Sequence, residues 1–270
     1  MQISGNTKVY GIFGWPVGHS LSPRLHNAAF SHLGIDACYV PMPVPPDGIE
    51  DAVQGIRAMG LGGVNVTVPH KVRAAQLVDE IHGPARELGA VNVIVNRDRK
   101  LEGYNTEVEG FRLCLEGGGA GPEGANVVML GAGGAARSVV KALEQGGAAS
   151  VDIINRTVEK AEEIAGEYDS SATEVRAHGF SEPDIDAIFE KGNIVINTTS
   201  LGLKVKDPLP VNLELLRERH VLVDLIYHPR ETPFLAQGRR IGAKTINGYG
   251  MLVFQAMEAF QLWTGRKPPL

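Results

Sequence analysis

The chain has 270 residues, 43% hydrophobic and 21% charged, with a net charge of −5. That length exceeds one comfortable core and suits two modest lobes, and the composition excludes a disordered chain. With 26 basic against 31 acidic residues there is no electrostatic footprint for nucleic acid. Cys38 and Cys114 form neither a C-x-x-C pair nor a metal-ligand group with histidine, so no metal is expected. No basic leader is followed by an apolar run, and no stretch approaches the ~20 apolar residues of a membrane span. A cytoplasmic protein with no membrane partner is expected. Glycine is the outlier, at 33 residues.

In chain order, strands are predicted over 8–13, 37–42, 63–66 and 91–95, and helices over 22–33, 47–59 and 69–78. Arg97-Asp98-Arg99-Lys100 reads as a solvated hairpin turn between two strand patterns, and the glycine-rich stretch 116–124 as a linker. Beyond it, strands are predicted over 127–130, 151–154, 174–177, 194–197, 221–225 and 244–246, with helical crossovers between them. Six such strands suggest a doubly wound parallel sheet, an α/β architecture. A last helix over 251–263 is apolar all round and is expected to complete the first lobe.

The predicted strand Asn126-Val127-Val128-Met129-Leu130 runs into Gly131-Ala132-Gly133-Gly134-Ala135-Ala136 and then a helical pattern. This is the strand, G-x-G-x-x-G/A turn and helix of a dinucleotide fingerprint. Gly131 allows the turn, Gly133 lets backbone N–H groups approach a pyrophosphate, and Ala136 lets helix and strand pack closely. The next strand ends not on an acidic residue but on Asn155-Arg156-Thr157, with Lys160 one turn later. A carboxylate would repel a 2′-phosphate, whereas a guanidinium binds one bidentately. NADP is therefore expected over NAD.

In the first lobe, Ser22 is expected to cap a helix whose first position is Pro23, which leaves Ser20 unexplained. Asn65-Val66-Thr67-Val68-Pro69-His70-Lys71 is a strand end feeding a helix expected to open at Pro69. Lys71 then falls in a first turn, an unfavourable place for a merely solvated cation and a suitable one for a lysine that exchanges a proton. Asn92 opens a strand. In Asn105-Thr106-Glu107 either of the first two residues could be a helix cap, and Glu107 suits the dipole without any chemical role. Thr198-Thr199-Ser200-Leu201-Gly202 lacks the first glycine of a nucleophile elbow, and no zinc-spaced Cys/His group or Gly-Lys-Ser/Thr phosphate loop occurs.

Taken together, Ser20-Leu21-Ser22-Pro23, Asn65 to Lys71, Gly89-Ala90-Val91-Asn92, Asn105-Thr106, Gly131 to Ala136, Asn155-Arg156-Thr157, Asn197 to Ser200, Asp224-Leu225-Ile226-Tyr227 and Gly248 to Gln255 resemble the shikimate dehydrogenase family from end to end. The resemblance implies an N-terminal mixed α/β substrate lobe at 1–105, completed by the C-terminal helix at about 251–270. A Rossmann NADP domain would occupy 106–250, with a cleft between the two. It implies reversible NADPH-dependent reduction of 3-dehydroshikimate to shikimate, a step of aromatic amino-acid biosynthesis, by a monomer or homodimer. By position, Ser20, Ser22 and Tyr227 would hold the substrate carboxylate, and Asn65, Thr67, Asn92 and Gln255 would meet ring hydroxyls. Lys71 would be the acid/base. Gly131, Ala132, Gly133, Gly134, Ala135, Asn155, Arg156, Thr157 and Lys160 would bind NADP, with Leu225 and Gly248 near the nicotinamide. The family places aspartate where this chain has Glu107, which is expected still to pair with Lys71 across one extra methylene. Methionine is common in the family where Leu225 stands. A quinate-using paralogue and a non-catalytic NADP-binding regulator are the alternatives.

Overall fold

A computed structural model describes residues 3–204 and 206–269. The chain divides into two units, Met1–Glu107 with Gln255–Leu270, and Val108–Phe254.

The first unit runs β1 (Lys8–Gly14), α1 (Ser22–Leu33), β2 (Ala37–Pro43), α2 (Ile49–Met59), β3 (Gly63–Val66), α3 (Lys71–Ala75), β4 (Glu80–Ile81), α4 (Pro84–Leu88), β5 (Val93–Arg97) and β6 (Lys100–Tyr104). Its mixed sheet has the order β2-β1-β3-β5-β6-β4. β1 is parallel to β2 and β3, while β5 is antiparallel to both β3 and β6. The antiparallel step comes from the Arg97–Lys100 turn, whose Asp98 and Arg99 both take positive φ, at 52° and 75°. Two left-handed residues in a row match the twist of a tight hairpin.

Two expectations about helix starts are corrected. α1 begins at Ser22 with Leu21 as its N-cap and no side-chain cap bond; Ser22 is no cap, and its N–H instead donates to Ser20 Oγ at 3.2 Å. The helix expected from Pro69 begins only at Lys71 and ends at Ala75, with His70 as N-cap. Residues 68 and 69 form a turn containing a cis Val68–Pro69 bond, which places Lys71 at the first helical position.

Apolar residues fill both faces of this sheet. Val53, Ile56, Val64, Ile94 and Leu101 lie on one side. On the other, Phe30, Tyr39 and Val93 pack with Phe260 and Trp263 of the last helix, α10 (Tyr249–Thr264). Trp263 anchors that helix by donating its indole N–H to the Ile94 carbonyl at 3.0 Å.

His26 is buried in the same cluster. Its ring stacks on Tyr39 with centroids 4.4 Å apart and meets Phe260 and Trp263, and its Nε2 is buried with no hydrogen-bond partner among the described residues. Burial lowers its pKa to about 3, against a weaker opposing effect of the nearby Asn65 carboxamide. The folded chain therefore stays unprotonated at His26 while the unfolded chain binds a proton as pH falls through about 6.5. That difference in bound protons removes stability on acidification, fully present above the unfolded value and lost at up to about 1.4 kcal/mol per pH unit below it. Urea unfolding at a series of pH values is expected to show this slope, and His26→Phe to flatten it. His220 in the second unit, also lowered by burial, contributes with the same sign.

The second unit follows α5 (Glu107–Gly117), most of which lies in it, and runs β7 (Asn126–Leu130), α6 (Ala136–Gln145), β8 (Ser150–Ile154), α7 (Val158–Gly166), β9 (Glu174–His178), α8 (Ile185–Lys191), β10 (Ile194–Asn197), β11 (Val221–Asp224), α9 (Pro233–Arg240) and β12 (Lys244–Asn247). The order β12-β11-β10-β7-β8-β9 is parallel throughout. Every residue of β8 and β10 is buried, the polar Ser150, Asp152 and Asn197 together with the apolar residues around them, as parallel strands covered on both faces require. This is a doubly wound Rossmann sheet, with its topological switch point between β7 and β10. The stretch 116–124, expected as a linker, lies inside this unit: it starts within α5 and is tied down by Lys244, which donates to the Gly119 carbonyl at 2.9 Å. Among the described residues no helix is long and apolar enough to cross a membrane.

Candidate active site

In the first unit, the ends of β3 and β6, the start of β5, the short helix α3 and α10 bring five of the expected residues, Lys71, Glu107, Asn65, Asn92 and Gln255, into one polar group. Lys71 donates to Glu107 Oε1 at 2.5 Å, and the two side chains are only 13% and 10% exposed. Two backbone features set this pair. The Lys71 carbonyl accepts from the Val91 N–H at 3.0 Å, and the Asn105 carboxamide oxygen accepts from the Glu107 N–H at 3.0 Å. Asn105 is therefore the residue that shapes the start of α5. The extra methylene of Glu107 does not prevent contact with Lys71.

Beside the pair lies an amide network. Asn92, 3% exposed, accepts from the Thr106 N–H at 2.8 Å and donates to Thr106 Oγ1 at 3.2 Å and Gln255 Oε1 at 3.4 Å. Its backbone carbonyl accepts from Asn65 Nδ2 at 3.2 Å, and Asn65 Oδ1 accepts from the Tyr39 hydroxyl at 2.6 Å. Gln255 reaches Asn92 from α10, 163 residues away in sequence. Amides satisfied in this way, with Asn92 buried at the centre, hold one orientation. Ser20 and Ser22 are joined by the turn ahead of α1. Thr67 follows β3 and is fixed through its N–H to the Phe13 carbonyl at 2.9 Å. Sequence reasoning passed over Tyr39 and left Thr106 as a possible cap. A tyrosine in a strand reads as core, and its hydroxyl partner Asn65 is 26 residues away.

The second unit holds the remaining expected residues, Tyr227 among them. Gly131, at the end of β7, has φ 105°, and a Cβ there would lie 2.6 Å from Thr199 Cγ2. Thr198 Oγ1 donates to the Leu130 and Gly131 carbonyls, each at 2.9 Å, so the switch point is closely packed. Gly133 and Gly134 are exposed, and a Cβ on Gly133 would meet nothing within 4 Å. α6 opens just beyond at Ala136, whose N–H donates to the Gly133 carbonyl at 3.0 Å, and the dipole of its N-terminus favours an anion. Asn155 joins the two loops: its Oδ1 accepts from the Ala132 N–H at 3.2 Å and its Nδ2 donates to the Thr157 carbonyl at 2.7 Å.

Arg156 and Lys160 are exposed. Neither side chain forms an ion pair or hydrogen bond among the described residues, and a free guanidinium beside an anion-favouring turn is equipped for a phosphate. At the other side of the switch, Gly248 sits against Leu225, the Leu225 carbonyl oxygen lying 2.1 Å from where a Cβ would stand. Asp224 holds this corner through Asn197, the Ile226 N–H and Thr232; burial raises its pKa, while those three hydrogen bonds oppose the rise. Tyr227 is half-buried, and burial raises its phenol.

Glu80, His82 and Glu102 bring ligand atoms within 4.8 Å of one another, a grouping that the scattered histidines of the sequence did not suggest. Their carboxylates are already engaged, Glu80 by Lys100 at 2.5 Å and Glu102 by the Tyr104 hydroxyl at 2.8 Å.

Residues 12–94 match the family model of the shikimate dehydrogenase substrate binding domain, 120–232 that of shikimate / quinate 5-dehydrogenase, and 248–270 that of the shikimate 5'-dehydrogenase C-terminal domain. A curated relative from Methanothermobacter thermautotrophicus, shikimate dehydrogenase (NADP(+)), is 43% identical over 100% of this chain and 95% of its own. A shikimate dehydrogenase crystallised in complex with NADP+ superimposes with TM-score 0.93 at 41% identity, covering 99% of this chain and 93% of that one. The ligand-free 5-ketofructose reductase of a Gluconobacter strain gives TM-score 0.88 at 36% identity over 98% and 96% of the two chains. With the family models spanning both units and a relative of this identity aligned end to end, the chain belongs to the shikimate dehydrogenase family.

Proposed function

We propose that this protein catalyses the reversible NADP-dependent interconversion of 3-dehydroshikimate and shikimate. The observation that carries the reading is the largely buried Lys71–Glu107 ion pair set beside the Asn65, Asn92 and Gln255 amides. A proton donor held on a carboxylate, next to several oriented amides, suits a ketone on a polyhydroxylated ring. Such a site discriminates strongly, because a substrate missing one hydroxyl leaves a buried amide unpaired.

The residues of the second unit fit NADP. The open space at Gly133 is where a pyrophosphate approaches the backbone. Arg156 and Lys160 supply cations for a 2′-phosphate, Asn155 and Thr157 shape that loop, and Leu225 with Gly248 forms the corner assigned to the nicotinamide end. Bound there, NADPH supplies the hydride that reduces the carbonyl carbon. Lys71 delivers a proton from Nζ to the carbonyl oxygen in the reduction and takes it back in the reverse reaction. Glu107 holds Nζ in place and balances its charge. Ser20, Ser22 and Tyr227 provide hydroxyl donors for the substrate carboxylate, Thr67 and the amides meet ring hydroxyls, and Thr106 keeps Asn92 turned.

The test is spectrophotometric: NADP reduction is followed with shikimate, then with quinate, and repeated with NAD. Turnover of shikimate with NADP is expected. A protein that turns over neither substrate is the regulator, and a preference for quinate makes it the paralogue. Arg156→Ala is expected to raise KM for NADP by roughly 10- to 100-fold, the loss of one or two charge-assisted hydrogen bonds, while leaving KM for NAD unchanged. Faster turnover of the unaltered protein with NAD would overturn the role given to Arg156.

A further inference from the structure

Tyr39 has no part in the chemistry just proposed, yet it is among the most firmly held side chains of the first unit. It is 1% exposed. Asn27 clamps its backbone on both sides, donating to the Tyr39 carbonyl at 2.8 Å and accepting from its N–H at 2.9 Å. The His26 ring stacks on its face at 4.4 Å, so α1 fixes both the backbone and the ring. The hydroxyl at the far end donates to Asn65 Oδ1 at 2.6 Å, with the Ser22 side chain near it. Burial keeps this phenol well above its ordinary value, so it remains a donor throughout the working pH range.

The consequence falls on Asn65. A carboxamide can be turned either way with little change of shape. Here its oxygen is taken by Tyr39 and its nitrogen points to the Asn92 carbonyl at 3.2 Å, which leaves one N–H to offer. We infer that Tyr39 is a positioning residue for the substrate site: its hydroxyl locks the Asn65 carboxamide so that Asn65 meets a substrate hydroxyl as a donor. This rests on the assignment of Asn65 to the substrate under the proposed function. Tyr39 itself need touch no substrate.

Tyr39→Phe removes the hydroxyl and keeps the ring in its stack. Shikimate KM is expected to rise roughly 3- to 10-fold, the effect of one neutral hydrogen bond, with kcat and the KM for NADP unchanged. Tyr10→Phe is the control, since Tyr10 is buried in the same cluster and its hydroxyl makes no hydrogen bond to these amides among the described residues. A second readout needs no turnover: in NMR spectra the Asn65 side-chain amide signals are expected to shift and exchange faster in Tyr39→Phe, but not in Tyr10→Phe. Unchanged shikimate KM together with unmoved Asn65 signals overturns the inference. So does an equal rise in KM for both variants with a matching fall in Tm, which marks a purely structural role. Should the unaltered protein reduce NADP with neither shikimate nor quinate, the functional reading fails, and the Asn65 signals still decide whether Tyr39 holds the amide.

Discussion

Lys71→Ala is expected to lower kcat by roughly 10²- to 10⁴-fold, the usual worth of a positioned general acid/base, with KM for NADP unchanged. The pairing with Glu107 complicates the choice of variant. Both side chains are largely withdrawn from water, and removing one member of such a pair leaves the other charge uncompensated, which destabilises the fold. Lys71→Ala should therefore be compared with the double variant Lys71→Met/Glu107→Gln, which removes both charges. If the double variant regains Tm and stays inactive, the loss belongs to proton transfer rather than to unfolding. Glu107→Asp separates position from charge. The Asn105 carboxamide fixes the Glu107 backbone, so a shorter side chain draws its carboxylate back from Nζ. Misplacement by about 1 Å can cost roughly 10²-fold, and a fall in turnover up to that size is expected. Stopped-flow or steady-state NADP reduction reads all three variants, and unchanged turnover and shikimate affinity in Glu107→Asp would remove Glu107 from the mechanism.

How much of this site was legible beforehand differs between the two units. Continuous apolar strands and a glycine turn between strand and helix are local signals, and the parallel sheet of the second unit follows them closely, from Ile194–Asn197 to the N-terminus of α6. The first unit is harder because its sheet is mixed. β4 has only two residues and is invisible to any periodicity. Ser22 carried a cap signal that the backbone did not honour, since the turn is closed by Ser20 two residues earlier. Proline at position 69 suggested a helix start, but that proline sits in a turn and Lys71 takes the first helical position. Lys71 was singled out correctly as a first-turn cation, although the helix it opens is only five residues long.

The polar contacts themselves were the least legible part. Asn92 to Gln255 and Tyr39 to Asn65 join residues with no sequence relation, and only the folded sheet makes them neighbours. The family resemblance supplied Asn65, Asn92 and Gln255 as a set of ligands. It did not supply the hydrogen bonds that decide which way each amide faces, nor the part that Thr106 plays as a partner of Asn92.

The glycines of the cofactor turn separate by physical cause, and this gives the second large expected effect. Gly131, Gly133 and Gly248 share one explanation at the level of sequence, closeness to a ligand. In the structure, Gly131 and Gly248 are required by the protein itself. A Cβ on Gly248 would stand 2.1 Å from the Leu225 carbonyl oxygen and 2.4 Å from its carbon. Those are backbone atoms, so no rotamer change relieves the clash, and β12 must shift from the end of β11. Gly248→Ala is expected to lower stability by about 1–3 kcal/mol, as other forced insertions into packed interiors do, and to weaken NADP binding with it. Gly133→Ala should behave in the opposite way. Its Cβ would enter open space, so the unfolding midpoint without cofactor should match that of the unaltered protein. The added methyl would instead occupy the ground a pyrophosphate needs against the backbone, and affinity for NADP should fall at least 10-fold, about 1.4 kcal/mol. Urea unfolding and fluorescence titration with NADP, run on both variants, separate the two causes. Unaltered NADP affinity in Gly133→Ala would mean that the pyrophosphate does not lie on this turn.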